Sequence, residues 1–213
     1  MDKSRARERA ERMLGILQVR YPSAVGFLKA ENPWQLLVAT QLSAQCTDER
    51  VNSVTPGLFS RLPTPQAMAA ADASELESLI RSTGFYRNKA RNLIGAARRV
   101  LECYGGEVPK DMENLLSLPG VARKSANVIL YGAYGINAGL AVDTHVGRIA
   151  RRLDLTRQQN PVRVEKDLLP LFPREEWGAT NHRMVSFGRE VCKARGPLCK
   201  NCEANAFCPR IGI

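Results

Sequence analysis

Leu115-Leu116-Ser117-Leu118-Pro119-Gly120-Val121-Ala122-Arg123-Lys124-Ser125-Ala126 is the stretch that decides the fold. It reads as a short helix, a tight Pro-Gly turn and a second helix. Leu115 and Leu118 are expected to pack inward, and Gly120 supplies the close backbone approach or unusual φ that the turn requires. Main-chain N–H groups at such a turn and at the following helix N-terminus point outward, where a phosphate oxygen is the natural acceptor. Lys124 falls in the first turn of the second helix, at the positive end of its dipole. The dipole and Arg123 both favour the neutral amine that a nucleophilic lysine needs. Downstream, Val142-Asp143-Thr144-His145 follows an apolar helix and a Gly-containing return, a path that can bring the Asp143 carboxylate back toward Lys124.

Outward from this core the chain reads as helix after helix. Residues 4–20 carry Met13, Leu14, Leu17 and Val19 on an apolar side, and Asn32-Pro33 opens a helix that is apolar nearly all round. Asp48 is placed as the cap of the next helix, Thr64-Pro65 as the start of another, and Ser74 with Glu77 as a capping box. From Ile80 to Leu101 there are six bases (Arg81, Arg87, Lys89, Arg91, Arg98, Arg99) and no acid. Leu93, Ile94, Ala97, Val100 and Leu101 make the apolar stripe of that segment, so the bases are assigned to the opposite, phosphate-facing side. Asp111, Asn160-Pro161 and Glu175 begin further helices, and no alternating strand is found. The fold class is all-α.

The 213 residues carry a formal charge of +10 and 44% hydrophobic residues, enough for a sizeable core and suited to a polyanionic partner. No apolar run reaches membrane-spanning length, and the Arg-rich N-terminus is interleaved with acids, so it reads as a surface helix and not as a targeting signal. The expected setting is cytoplasmic, where six cysteines are not expected to form disulfides. Four of them, Cys192, Cys199, Cys202 and Cys208, are spaced C-x6-C-x2-C-x5-C. Four thiolates so close together point to a metal site, and the spacing alone leaves zinc and a [4Fe–4S] cluster both open. Cys46 and Cys103 are read as small apolar residues.

Leu-Pro-Gly-Val-Ala-Arg-Lys-Ser-Ala followed by Val-Asp-Thr-His resembles the helix-hairpin-helix DNA glycosylases, those of the endonuclease III type most of all, and the resemblance runs almost from end to end. It implies a six-helix barrel over residues 26–138, with the helix-hairpin-helix at about 112–134. It also implies an iron–sulfur domain formed by residues 1–25 and 139–213, with a DNA cleft between the two. By the same resemblance Lys124 and Asp143 are the catalytic pair, and the four cysteines hold a [4Fe–4S] cluster. Gln45 fills the gap left by an extruded nucleotide, and Phe85 wedges beside the opposite base. Gly120, Ala122, Arg123, Ser125, Lys193 and Arg195 face DNA. Ala122 stands where the family usually has a second glycine, Ser125 where it has threonine, and a lysine common near Gly196 is missing.

The activity implied is a bifunctional glycosylase and abasic-site lyase of base excision repair. It acts as a monomer on double-stranded DNA and removes oxidised or ring-saturated pyrimidines such as thymine glycol. A mismatch-specific adenine glycosylase shares the fold and cluster but typically lacks the lysine and adds a C-terminal domain. A non-catalytic DNA-binding module leaves Lys124 and Asp143 unexplained, and an electron carrier accounts for the cysteines alone.

Overall fold

The computed structural model describes residues 2–23 and 26–213. Among these residues there are eleven α-helices and no strand, and the chain divides into two compact units, one of residues 26–138 and one of residues 1–25 with 139–213.

The 26–138 unit contains α2 (Pro33–Leu42), α3 (Asp48–Arg61), α4 (Pro65–Ala69), α5 (Ala73–Ile80), α6 (Tyr86–Tyr104), α7 (Met112–Leu116) and α8 (Arg123–Tyr134). Helix α2 starts where Asn32 accepts from the Gln35 N–H and Pro33 occupies a first-turn position. Leu37, Val38, Ala39 and Leu42 are all fully buried on it. A short helix buried on every side has to sit at the centre, and α2 packs against α3, α6 and α8. The approach of α8 is set at Gly132, where a Cβ would stand 2.8 Å from Leu36 Cδ2.

Two helix starts differ from the sequence reading. Asp72, not Ser74, caps α5 by accepting from the Ser74 and Glu75 N–H groups. An aspartate two residues upstream is at least as good a cap and begins the helix earlier. Thr47 caps α3, which leaves Asp48 inside the first turn, where its charge complements the dipole. Cys103 is exposed and not part of the apolar interior.

The other unit contains α1 (Lys3–Arg20), α9 (Thr144–Arg152), α10 (Pro161–Leu168) and α11 (Trp177–Glu190). Its core includes Met13, Leu17, Leu140, Val146, Ile149, Leu168, Met184 and Phe187. Val19 is 85% exposed and takes no part, because it falls off the stripe set by Ala6, Ala10, Met13 and Leu17. Arg183 joins α11 to the end of α1, donating to the Tyr21 carbonyl at 3.1 Å and pairing with Glu176. Helices α9 and α11 come close at Gly188, where a Cβ would lie 2.6 Å from His145 Nδ1.

Candidate functional site

The hairpin is a tight turn of Leu118-Pro119-Gly120-Val121. The Val121 N–H donates to the Leu118 carbonyl at 3.1 Å, and Gly120 has φ +80°. Proline followed by a positive-φ glycine is the requirement of a type II turn. Leu115 and Leu118 are buried on either side of it, as the sequence suggests. Three contacts hold the turn to the rest of its unit. Gln41 Nε2 donates to the Pro119 carbonyl at 3.1 Å. The Pro119 ring packs on Gly95 of α6, where a Cβ would lie 3.2 Å from Pro119 Cγ. Gly120 lies so near Gln41 and Asn92 that a Cβ would come within 2.8 Å of Gln41 Oε1 and 2.9 Å of Asn92 Cβ.

Beyond the turn, Ala122 precedes α8 in extended conformation and contributes no side-chain cap. Most helices in this chain begin on an Asp, Asn or Thr whose oxygen satisfies first-turn N–H groups. The start of α8 has no such oxygen, as is also the case for α6 and α11. Lys124 is exposed in this first turn, with Arg123 and Ser125 half-buried on either side.

Gln45 and Phe85, far apart in sequence, line one open hollow in this unit, together with Gln41, Asn88, Lys89, Asn92 and Gly120. Both lie in left-handed backbone, Gln45 at φ +52° and Phe85 at φ +48°, and Phe85 is 64% exposed. Left-handed backbone costs a non-glycine residue about 1–2 kcal/mol and persists where the surroundings over-determine it.

Lys89 departs from expectation. Of the six bases placed on the solvent side, this one turns inward: it is 5% exposed, and its Nζ donates to the Leu42 and Thr83 carbonyls at 2.8 Å each. Burial pushes its pKa down, an effect opposed in part by the nearby Cys46. The helical period carries the signal, since Lys89 lies four residues before the buried Leu93 and seven before the buried Ala96. Arg81, Arg87, Arg91, Arg98 and Arg99 are exposed.

In the other unit Asp143 is the N-cap of α9, its Oδ1 accepting from the Val146 N–H at 2.8 Å. The approach to it is held by buried Asn181, which donates to the Ala141 carbonyl at 2.7 Å. His145 Nδ1 lies 3.0 Å from Arg148 Nη2. A guanidinium only donates, so a hydrogen bond between the two requires Nδ1 as the acceptor. Burial lowers the His145 pKa, as do Arg148 and Arg189, while Asp143 raises it.

Cys192, Cys199, Cys202 and Cys208 line a single hollow between apolar side chains, among them Met13, Ile149, Phe187 and Val191. Arg152, only 7% exposed, donates to the Cys192 sulfur at 3.3 Å and to the carbonyls of Lys193 at 2.7 Å and Ala194 at 3.2 Å. Burial pushes the Cys202 and Cys208 thiols up. Among the described residues no three His, Cys, Asp or Glu side chains converge as ligands of a single ion. Lys193 and Arg195 are exposed on the loop between the first two cysteines.

Residues 38–174 match the family described as HhH-GPD superfamily base excision DNA repair protein. This chain belongs to that superfamily. The match spans Gln45, Phe85, the hairpin, Lys124 and Asp143 but ends before the four cysteines. Among curated members, the endonuclease III of Synechocystis sp. is 53% identical over 95% of this chain and 93% of its own length. Two solved structures of the superfamily extend the likeness to the whole fold. A non-covalent endonuclease III–DNA complex is 44% identical, with TM-score 0.91 over 96% of this chain and 95% of that one. A trapped endonuclease III–DNA covalent intermediate is 43% identical, with TM-score 0.91 over 99% and 97%. Within this superfamily frame the sequence reading overlooked Gln41, Asn92, Asn181 and Arg152 and put Lys89 on the wrong face, because their contacts depend on carbonyls and neighbours distant in sequence.

Proposed function

We infer that this protein is a bifunctional DNA glycosylase and abasic-site lyase of base excision repair, acting on duplex DNA at oxidised or ring-saturated pyrimidines. The observation that carries the reading is Lys124: an exposed amine in the first turn of a helix with no side-chain cap, directly after a Pro-Gly turn. A relative of high likeness is known as a trapped covalent intermediate with DNA. Covalent capture of a sugar needs a nucleophile beside a phosphate-holding element, and Lys124 answers that description here.

A stacked base shields its glycosidic carbon, so the lesion nucleotide is first extruded from the duplex. Gln45 and Phe85, exposed at the rim of one hollow, fill the vacated stack and press beside the opposite base. The Lys124 Nζ lone pair then attacks C1′, the C1′–N bond breaks, and the base leaves with its bonding electrons and takes up a proton. Opening of the sugar ring gives a Schiff base, which acidifies the C2′ proton. Loss of that proton forms the C1′–C2′ enamine electrons that expel the 3′ phosphate, and the strand is cut by β-elimination. Asp143 stabilises positive charge developing at the sugar and assists these proton transfers. Its Oδ1 serves the α9 cap, so one carboxylate fixes its own position and leaves Oδ2 outside the cap. Gly120, Ala122, Arg123 and Ser125 hold phosphate along the hairpin, and Lys193 and Arg195 add charge from the cysteine loop.

The four cysteines around one hollow would hold a [4Fe–4S] cluster, the group implied by the resemblance to the endonuclease III type. Such a group, when bound, fastens a short tail that has little apolar core of its own. Arg152 supplies hydrogen bonds to Cys192 and its loop, of the kind that orient ligands. No helix of the described residues is long and apolar enough to cross a membrane, and the place of action is chromosomal DNA in the cytoplasm.

The test is borohydride trapping on a duplex carrying one oxidised pyrimidine. The parent protein forms a covalent adduct and Lys124→Ala forms none. An adduct that survives in Lys124→Ala assigns the chemistry to another nucleophile and overturns the mechanism.

A further inference from the structure

Lys89 holds a position that filling the core does not explain. An ammonium taken out of water is costly even with acceptors, and a leucine or methionine would occupy the same space at less expense. Its two acceptors are not scattered. Leu42 is the last residue of α2, whose terminal carbonyls lack helical partners, and the chain reaches Gln45 three residues later. Thr83 stands two residues before Phe85, across a Gly84 that is itself at φ +71°. The amine therefore bridges the roots of two turns, each presenting an exposed side chain from left-handed backbone to the same hollow. The two strained turns share this one buried cross-link.

We propose that Lys89 is a positioning residue for base extrusion: by bridging the Leu42 and Thr83 carbonyls it fixes the spacing between Gln45 and Phe85, so that both enter the duplex together. The inference rests on the glycosylase reading above and adds a residue that never touches the reacting atoms. Loss of the bridge frees the two turns to separate, and the extruded state is then stabilised less. Chemistry at Lys124 is left intact, because a sugar already out of a stack needs no insertion.

Lys89→Met keeps the length of the stem and removes every donor. Three substrates distinguish the outcomes: a duplex with one oxidised pyrimidine, a duplex with an abasic site, and a single-stranded oligonucleotide with an abasic site. In single-turnover assays the variant is expected to lose roughly ten- to a hundredfold on the lesion duplex, the effect of one charged hydrogen-bonded bridge. It loses less on the abasic duplex and retains the parent rate on the single strand within about twofold. Its melting temperature falls, since the Leu42 and Thr83 carbonyls lose their charged donor, so rates are compared at a temperature where both proteins are folded. Should Lys89→Met fold poorly, Lys89→Gln, whose amide still reaches one carbonyl, is judged by the same ratio of duplex to single-strand rates and lies between parent and Met. Parental rates on the lesion duplex overturn the proposal. So does an equal loss on all three substrates, which reports general damage and not positioning. A parent protein inert on all three would instead overturn the glycosylase reading, and this inference with it.

Discussion

Gly120→Ala tests what the hairpin demands of its backbone. The residue has φ +80°, and a left-handed conformation costs an L-residue about 1–2 kcal/mol. The new Cβ would also lie 2.9 Å from Asn92 Cβ and 2.8 Å from Gln41 Oε1. Gln41 can swing aside at the expense of its bond to Pro119, but the Asn92 Cβ is fixed to α6 and cannot. Overpacking of this type adds about 1–3 kcal/mol. Gly135, just past the end of α8, is an internal control: its φ is +67° and a Cβ there meets nothing within 4 Å. Gly135→Ala therefore carries only the conformational cost, again about 1–2 kcal/mol. Denaturant unfolding should separate the two variants by about 1–3 kcal/mol, with Gly120→Ala the less stable. Titration with undamaged duplex at fixed salt should separate them further, since only Gly120→Ala disturbs the phosphate-holding turn. Equal unfolding free energies would show that Gln41 and Asn92 yield freely and would refute the close-packing argument. Full duplex affinity in Gly120→Ala would remove the reason for assigning this turn to phosphate.

Two further outcomes follow from the 1–25 and 139–213 unit. Arg152→Leu leaves the Lys193 and Ala194 carbonyls without their charged donor and is expected to cost about 3 kcal/mol. Iron per chain and melting temperature should fall together, Arg152→Lys should recover part of each, and unchanged iron content would sink the supporting role given to this guanidinium. His145 predicts an acid-side loss of stability. Its folded pKa lies below the ordinary 6.5, chiefly through burial. As the pH drops below that value the unfolded chain takes up the proton first. The stabilisation is therefore complete above about 6.5 and is lost as pH falls through the depressed folded value. Unfolding curves for the parent and His145→Gln at about pH 7.5 and pH 5 should show a smaller loss in the variant, and identical pH slopes would refute it.

What the sequence determined by itself were features written in short-range chemistry. Pro119-Gly120 between two leucines specifies a turn whatever surrounds it, because proline fixes one torsion and glycine alone accepts the next without strain. Asn32-Pro33, Thr64-Pro65 and Asp111 start helices for equally local reasons. The cysteine spacing places all four side chains around one hollow, since four cysteines within one short tail cannot lie far apart. Tertiary structure decided the rest. Lys89 looked like one more base on a charged face, and its inward turn depends on carbonyls of Leu42 and Thr83 that lie on other segments. Gln45, Phe85 and Gly120 share a hollow only because α2, α6 and the hairpin pack together. Cys103 and Val19 are exposed by small differences in helical register that composition does not record. A buried polar group goes where its partners are, and those partners are chosen by packing between segments that are remote along the chain.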